Sequence, residues 1–220
     1  MPTSTVEDYL KVILLAEQRS PGDLVGMGEI GAALDVAPGT VTAMVKTLAD
    51  SGLLRYEPYS GVALTPAGRQ LATHVLRRHR LVELFLVRVM GMDWSEVHDE
   101  AERLEHVISD RLLERMDAIL DRPAVDPHGD PIPDARGIVA EPELVTLLSC
   151  PQGQRVRVAR VTDQSTEFLR LVERAGLMPG SVVRVAKRDP SADTVEIRLR
   201  GSAHLSLGSR AASKILVEVL

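Results

Sequence analysis

Four side chains between positions 98 and 106 carry the clearest chemical signal in this chain: His98, Glu102, Glu105 and His106. On a continuous helix turning about 100° per residue they share one stripe roughly 100° wide. His79 and Glu83 form a second pair, four residues apart, on a preceding helical stretch. Imidazole and carboxylate together are ligands for manganese, ferrous iron and zinc, and no thiolate accompanies them. The plain alternative is a solvated acidic face, since Asp99, Glu100 and Asp110 crowd the same stretch. A hydrolytic metalloenzyme stays open on these residues alone. The spacing is not the H-E-x-x-H of metalloproteases, and no glycine-rich phosphate loop or nucleophile elbow occurs.

The elements that must position these groups follow from periodicity and punctuation. Ser4 to Glu7 reads as a capping box that opens a helix carrying Val6, Tyr9, Leu10, Ile13 and Leu14 at helical spacing. A short helix at about 27–34, a tight Asp35-Val36-Ala37 link and a helix from Pro38 to Asp50 follow, the last stopped by Gly52. Leu53–Glu57 and Val62–Thr65 read as strands joined by a Pro58-Tyr59-Ser60-Gly61 turn. Thr65-Pro66 starts a long helix to Met90, broken at Gly91. Another helix is expected from Ser95 to Asp121, holding the four-residue stripe on one face.

Residues 122–137 contain four prolines and two glycines and read as a linker or ordered loop. Beyond them Arg155–Val161, Val182–Lys187, Thr194–Arg200 and Ile215–Leu220 are β-rich, with one helix at about Ser165–Ala175. Short strands with glycine turns at these intervals suggest a small barrel. The fold class is therefore mainly α with a small β domain.

Charge first argues against a nucleic-acid partner, because the 220-residue chain has a net charge of −5. The distribution reverses that impression. Residues 1–80 are neutral overall, residues 81–140 carry −8 and residues 141–220 carry +3. Between 40 and 80, six bases (Lys46, Arg55, Arg69, Arg77, Arg78, Arg80) face two acids. Helix, turn, helix and hairpin form a winged helix-turn-helix pattern, whose second helix enters the major groove. Its early exposed positions are Pro38, Gly39, Thr40, Thr42, Ala43 and Lys46, with Arg55, Tyr56 and Tyr59 on the hairpin near the backbone or minor groove. A winged helix used only for protein contacts is the competing reading.

No apolar run approaches the roughly 20 residues of a membrane span, and no leader is visible at the N-terminus. The single cysteine, Cys150, excludes an internal disulfide and fits a reducing cytoplasm. A thiol-based redox sensor is the weaker alternative, as Cys150 stands alone beside Pro151.

These features together resemble the diphtheria-toxin-repressor family of metal-dependent bacterial repressors. The resemblance rests on the winged helix, on R-x-H-R-L-x-E at 78–83 and on V-H-D-E-A-E-R-L-E-H at 97–106. It continues through P-H-G-D-P-I-P at 127–133 and G-L-M-P-G-S at 176–181. It implies a winged helix-turn-helix domain (1–72), a helical dimerisation and metal-binding domain (73–140), a linker (141–150) and an SH3-like, FeoA-type barrel (151–220).

The resemblance also implies ligand sets. Asp8, Glu102, Glu105 and His106 match the primary, regulatory site; His79, Glu83 and His98 match an ancillary site; Asp163 or Gln164 of the barrel would add a ligand. Asp8 in a first helical turn also suits the helix dipole without any metal. Iron-responsive members carry Met and Cys where Asp8 and Glu102 stand, and hard carboxylates shift the site towards manganese. Two-domain manganese regulators carry a further Glu where this chain has Lys11, which argues against their closely spaced binuclear site. Asp126 and Asp130 stand near Arg80, where iron-type members hold an anion with neutral residues, so no bound anion is expected. The expectation is a cytoplasmic, homodimeric repressor that is activated by Mn2+ to bind double-stranded operator DNA of manganese-uptake genes. Iron- or zinc-responsive regulation, and a metalloenzyme with a winged-helix appendage, are the alternatives.

Overall fold

Helix α1 (Ser4–Arg19) begins one residue earlier in its capping than the sequence suggests: Thr3, not Ser4, accepts the Val6 backbone N–H at 3.4 Å. This leaves Glu7 free of the capping box and turned inward. The computed structural model describes residues 3–139, 142–199 and 204–220. The expected boundary at 140/141 and the end of the Thr194–Arg200 strand lie outside them.

The described chain divides into two compact units. The first runs to His79 and includes Arg103–Asp110 and Pro133–Ile138. Its α2 (Met27–Leu34) and α3 (Pro38–Asp50) are joined through Asp35, whose φ of 53° gives the left-handed turn of the helix-turn-helix. Strands β1 (Leu54–Glu57) and β2 (Gly61–Leu64) pair antiparallel as the wing. Tyr9, Leu10, Ile13, Ile30, Val41, Val45, Leu48 and Val62 form one buried core beneath them. Helix α4 (Pro66–Arg88) starts in this unit.

The expected single helix from Ser95 to Asp121 is two helices, α5 (Val97–Leu104) and α6 (Asp110–Ile119). The chain leaves helical geometry at Glu105, a fully buried carboxylate whose partners are Lys11 and His79. His98 and Glu102 are therefore helical, whereas Glu105 and His106 stand in the turn beyond α5.

The second unit comprises Arg80–Glu102, Arg111–Ile132 and the chain from Val139 onward. Its sheet contains β3 (Val145–Thr146), β4 (Arg155–Val161), β5 (Val182–Asp189), β6 (Thr194–Arg198), β7 (His204–Gly208) and β8 (Ile215–Val219), in the order β3-β8-β4-β5-β6-β7. β3, β7 and the short α8 (Ser209–Ala212) were not legible as elements beforehand. Val156, Val158, Val183, Val185, Ile197 and Ile215 point inward against Phe168, Leu169 and Val172 of α7 (Thr166–Arg174). Cys150 belongs to this core, and burial pushes its thiol pKa up, opposite to what a redox sensor needs.

The 122–137 segment is ordered where it is described: Val125 bridges Pro131, and Val161 donates its backbone N–H to the His128 carbonyl. Gly129 is required there. It has φ +88°, and an added Cβ would lie 1.9 Å from the Ala159 carbonyl oxygen.

Candidate functional site

In the first unit, ligand atoms of Asp8, Glu105 and His106 all lie within 4.8 Å of one another. His106 Nε2 stands 2.9 Å from Asp8 Oδ1, and His106 Nδ1 meets Glu7 Oε2 at 2.7 Å. Glu7 is a site contact that the sequence alone does not reveal, because its position fits a capping box. A carboxylate behind the second ring nitrogen holds Nδ1–H and leaves Nε2 directed at Asp8, the usual support for a metal-binding imidazole. Arg78 Nη1 lies 3.6 Å from Glu7 Oε1 and its Nη2 donates to Asp110 at 3.0 Å. Lys11 Nζ donates to Glu105 Oε1 at 2.6 Å, with both side chains buried. His79 Nδ1 faces the other oxygen, Oε2, at 2.5 Å.

In the second unit, His98 on α5 has Nδ1 3.2 Å from Glu83 Oε1 and Nε2 3.6 Å from Glu102 Oε1. A further group was not foreseen. Glu83, Asp126 and His128 are all buried and bring ligand atoms within 4.8 Å of one another. His128 is fully buried, and its Nε2–H donates to the Trp94 carbonyl at 2.9 Å. A carbonyl only accepts, so the proton sits on Nε2 and, in the neutral ring, Nδ1 carries a bare lone pair. Among the described residues that atom has no hydrogen-bond partner, and it lies 3.8 Å from Glu83 Oε2.

Asp126 accepts the backbone N–H groups of His128 and Asp130. Its carboxyl is nonetheless held well above the usual range, by burial first and then by the Asp130 and Glu83 charges. Arg80 opposes this, at 3.9 Å from Asp126 and 3.7 Å from Asp130, while donating to the Pro131 carbonyl. An orphaned imidazole nitrogen beside two buried carboxylates fits a cation. The signal in the sequence was the 127–133 motif, read there as a family marker and not as a ligand source.

Two barrel residues expected as ligands have other partners. Asp163 pairs with Lys214, and Gln164 donates to Asp130 Oδ2 at 2.8 Å. Partial burial raises the Asp163 pKa, but bonds from Lys214 and Ser165 outweigh it and bring the value to about 2.

Of the residues expected to meet DNA, Pro38, Gly39, Thr40, Ala43 and Lys46 of α3 are exposed. Thr42 is half-buried and spends its hydroxyl on the Pro38 carbonyl at 2.9 Å. Arg55 is exposed with Glu57 at 3.3 Å, and Tyr59 projects fully from the wing. Tyr56 is half-buried and packs against the core.

Residues 1–62 match the iron-dependent repressor N-terminal DNA-binding domain, residues 65–134 match the iron-dependent repressor metal-binding and dimerisation domain, and residues 145–219 match the FeoA domain. The iron-dependent repressor IdeR of Mycobacterium leprae is 33% identical over 97% of this chain and 96% of its own length. The diphtheria toxin repressor of Corynebacterium efficiens is 33% identical over 82% of this chain and 80% of its own. Among solved structures, a manganese-dependent transcriptional repressor in complex with manganese is 40% identical, covering 98% of this chain and all of that one, with a TM-score of 0.88. The manganese regulator SloR is 32% identical over 98% of both chains, with a TM-score of 0.75.

Proposed function

From the premise that this chain belongs to the diphtheria-toxin-repressor family of metal-dependent transcriptional repressors, we propose that it is a manganese-activated, homodimeric member that binds operator DNA in the cytoplasm. The observation that carries this reading is the meeting of Asp8, on the first helix of the winged-helix domain, with Glu105 and His106 of the 103–110 segment. The family resemblance adds Glu102 to that set. A divalent cation held there supplies the positive charge that lets these carboxylates share one point with an imidazole. Glu7 keeps His106 oriented, and Arg78 keeps Glu7 in place. Tying α1 to this segment fixes the recognition helix for DNA, so metal and DNA should tighten each other's binding.

The donor set is oxygen and nitrogen throughout, which favours manganese over metals that prefer sulfur ligands. Lys11 supports a single ion at this point, since its ammonium already occupies Glu105 Oε1. A second position draws on Glu83 and His98, with Asp126 and His128, and the resemblance adds His79. Asp163 and Gln164 stay candidates through the resemblance alone, each with a partner of its own in Lys214 and Asp130. Pro38, Gly39, Thr40, Thr42, Ala43 and Lys46, with Arg55 and Tyr59, form the DNA face. Two such faces in a dimer would match half-sites about one helical turn, ~34 Å, apart.

The test is fluorescence anisotropy on DNA selected by the metal-loaded protein, titrated with buffered Mn2+, anaerobic Fe2+ and Zn2+. Activation by Mn2+ in the free-ion range of a cell supports the reading, and DNA binding indifferent to metal overturns it. Iron is the second reading, favoured by the relatives that are named iron-dependent repressors; activation by Fe2+ with Mn2+ inert would select it.

A further inference from the structure

Three arginines oppose one another across the outer surface of the barrel. Arg155 of β4 is the direct register partner of Arg184 of β5, and Arg184 is that of Arg198 of β6. All three are exposed. Directly opposed residues on antiparallel strands stand about 4.5–5.5 Å apart, so three positive charges start from backbone positions about 10 Å end to end. Like charges in direct opposition destabilise a sheet.

The same face handles its other bases differently. Arg157 is the register partner of Glu218 and pairs with it at 3.0 Å. Lys187 is opposite Glu196 and reaches Asp189 at 3.3 Å. The arginine row alone lacks such relief: among the described residues, none of the three guanidinium groups has a hydrogen-bond or ion-pair partner. Together with Val182, Val183 and Leu199 they line a shallow groove of about 190 Å³.

We propose that this row is a phosphate-binding surface and that its occupant is the backbone of the DNA to which the protein binds. An uncompensated row calls for an anion with several charges at short intervals, and duplex DNA carries one per roughly 1.7 Å of axis. Guanidinium groups suit phosphate because they donate two parallel hydrogen bonds and stay charged. No aromatic residue lines the groove, whereas protein interfaces are enriched in them and DNA interfaces are the more strongly positive class. The surface carries no sequence information of its own; it adds affinity and salt dependence to what the winged helix specifies.

This inference rests on the repressor reading, and its test separates the two. The full-length Mn2+-loaded protein and its R155Q/R184Q/R198Q variant are titrated with the selected DNA across a salt series. Each lost phosphate contact should reduce the slope of log K against log salt by about 0.9, so the triple variant should lose two to three units of slope. Its affinity near 100 mM salt should fall at least tenfold. R184Q alone should lose about one unit, and R157Q, whose partner is Glu218, should change least. Melting temperature and Mn2+ stoichiometry should hold, because the substitutions remove a repulsion. An unchanged slope with metal-stimulated binding intact overturns this inference alone, as does loss of dimer–dimer association in its place, which would identify an acidic protein surface as the occupant. Wild-type protein that binds no DNA with metal overturns the repressor reading and this one with it.

Discussion

The two acidic clusters are built on opposite principles. Around Asp8, Glu105 and His106 the chain supplies its own cations: Lys11 contacts Glu105, and Arg78 stands beside Glu7. Around Glu83, Asp126 and His128 it supplies less. Arg80 reaches Asp126 only at 3.9 Å, the Asp126 carboxyl is pushed towards its neutral form, and among the described residues His128 Nδ1 has no hydrogen-bond partner. In the first cluster Glu105 and Glu7 each have a cation from the chain itself, which would suit a site that empties and fills. The second is buried, and its Asp126 carboxyl is pushed towards the neutral form, which would suit a site kept filled. Metal-ligand chemistry by itself does not distinguish a switch from a structural ion; the internal counter-charges do.

That contrast can be broken most sharply at Lys11. Lys11→Met leaves Glu105 buried without its ammonium and should cost about 3–5 kcal/mol in metal-free protein. Saturating Mn2+ should restore much of that loss, and thermal melts with and without chelator check it; equal destabilisation in both states would remove Lys11 from the comparison. Asp8→Ala should erase metal-stimulated DNA binding, a loss of up to about 150-fold for a typical allosteric coupling. Anisotropy measures the loss, and sedimentation should find the dimer intact. His128→Gln addresses the other cluster. It should remove the second ion's share of the Mn2+-dependent rise in stability, about 2.7 kcal/mol for an ion at a hundred times its Kd, while leaving stimulation at the first cluster measurable. The smallest effect lies apart from both. Asp163, lowered from 3.8 to about 2 by Lys214, contributes stability that is full above 3.8 and lost as pH falls towards 2. Lys214→Met should flatten that part of an acid-melting profile.

Much of this organisation was legible beforehand because it depends on local pattern. The winged helix, the barrel strands and the choice of His79, Glu83, His98, Glu105 and His106 as polar groups worth placing all follow from period and residue type. The rest depends on contacts that no local pattern records. The helix ends at Leu104, and the Glu105 carboxylate just beyond it is held by a lysine 94 residues away in the sequence. Glu7 stands where a capping box would place it, but Thr3 provides the cap. Asp126 and His128 sit in a segment whose prolines and glycines announce only irregular backbone, and irregular backbone can place ligands as firmly as a helix when a glycine such as Gly129 lets it pack against a strand.

The stacking of Trp94 on His128, with ring centroids 5.5 Å apart, has an optical consequence. Trp94 is the sole tryptophan of the chain, so its emission reports from one place. A paramagnetic ion ligated by His128 would quench that emission, whereas the first cluster has no indole of its own. Filling of the two positions can thus be ordered in time by watching intrinsic fluorescence alongside DNA anisotropy, with no dye attached.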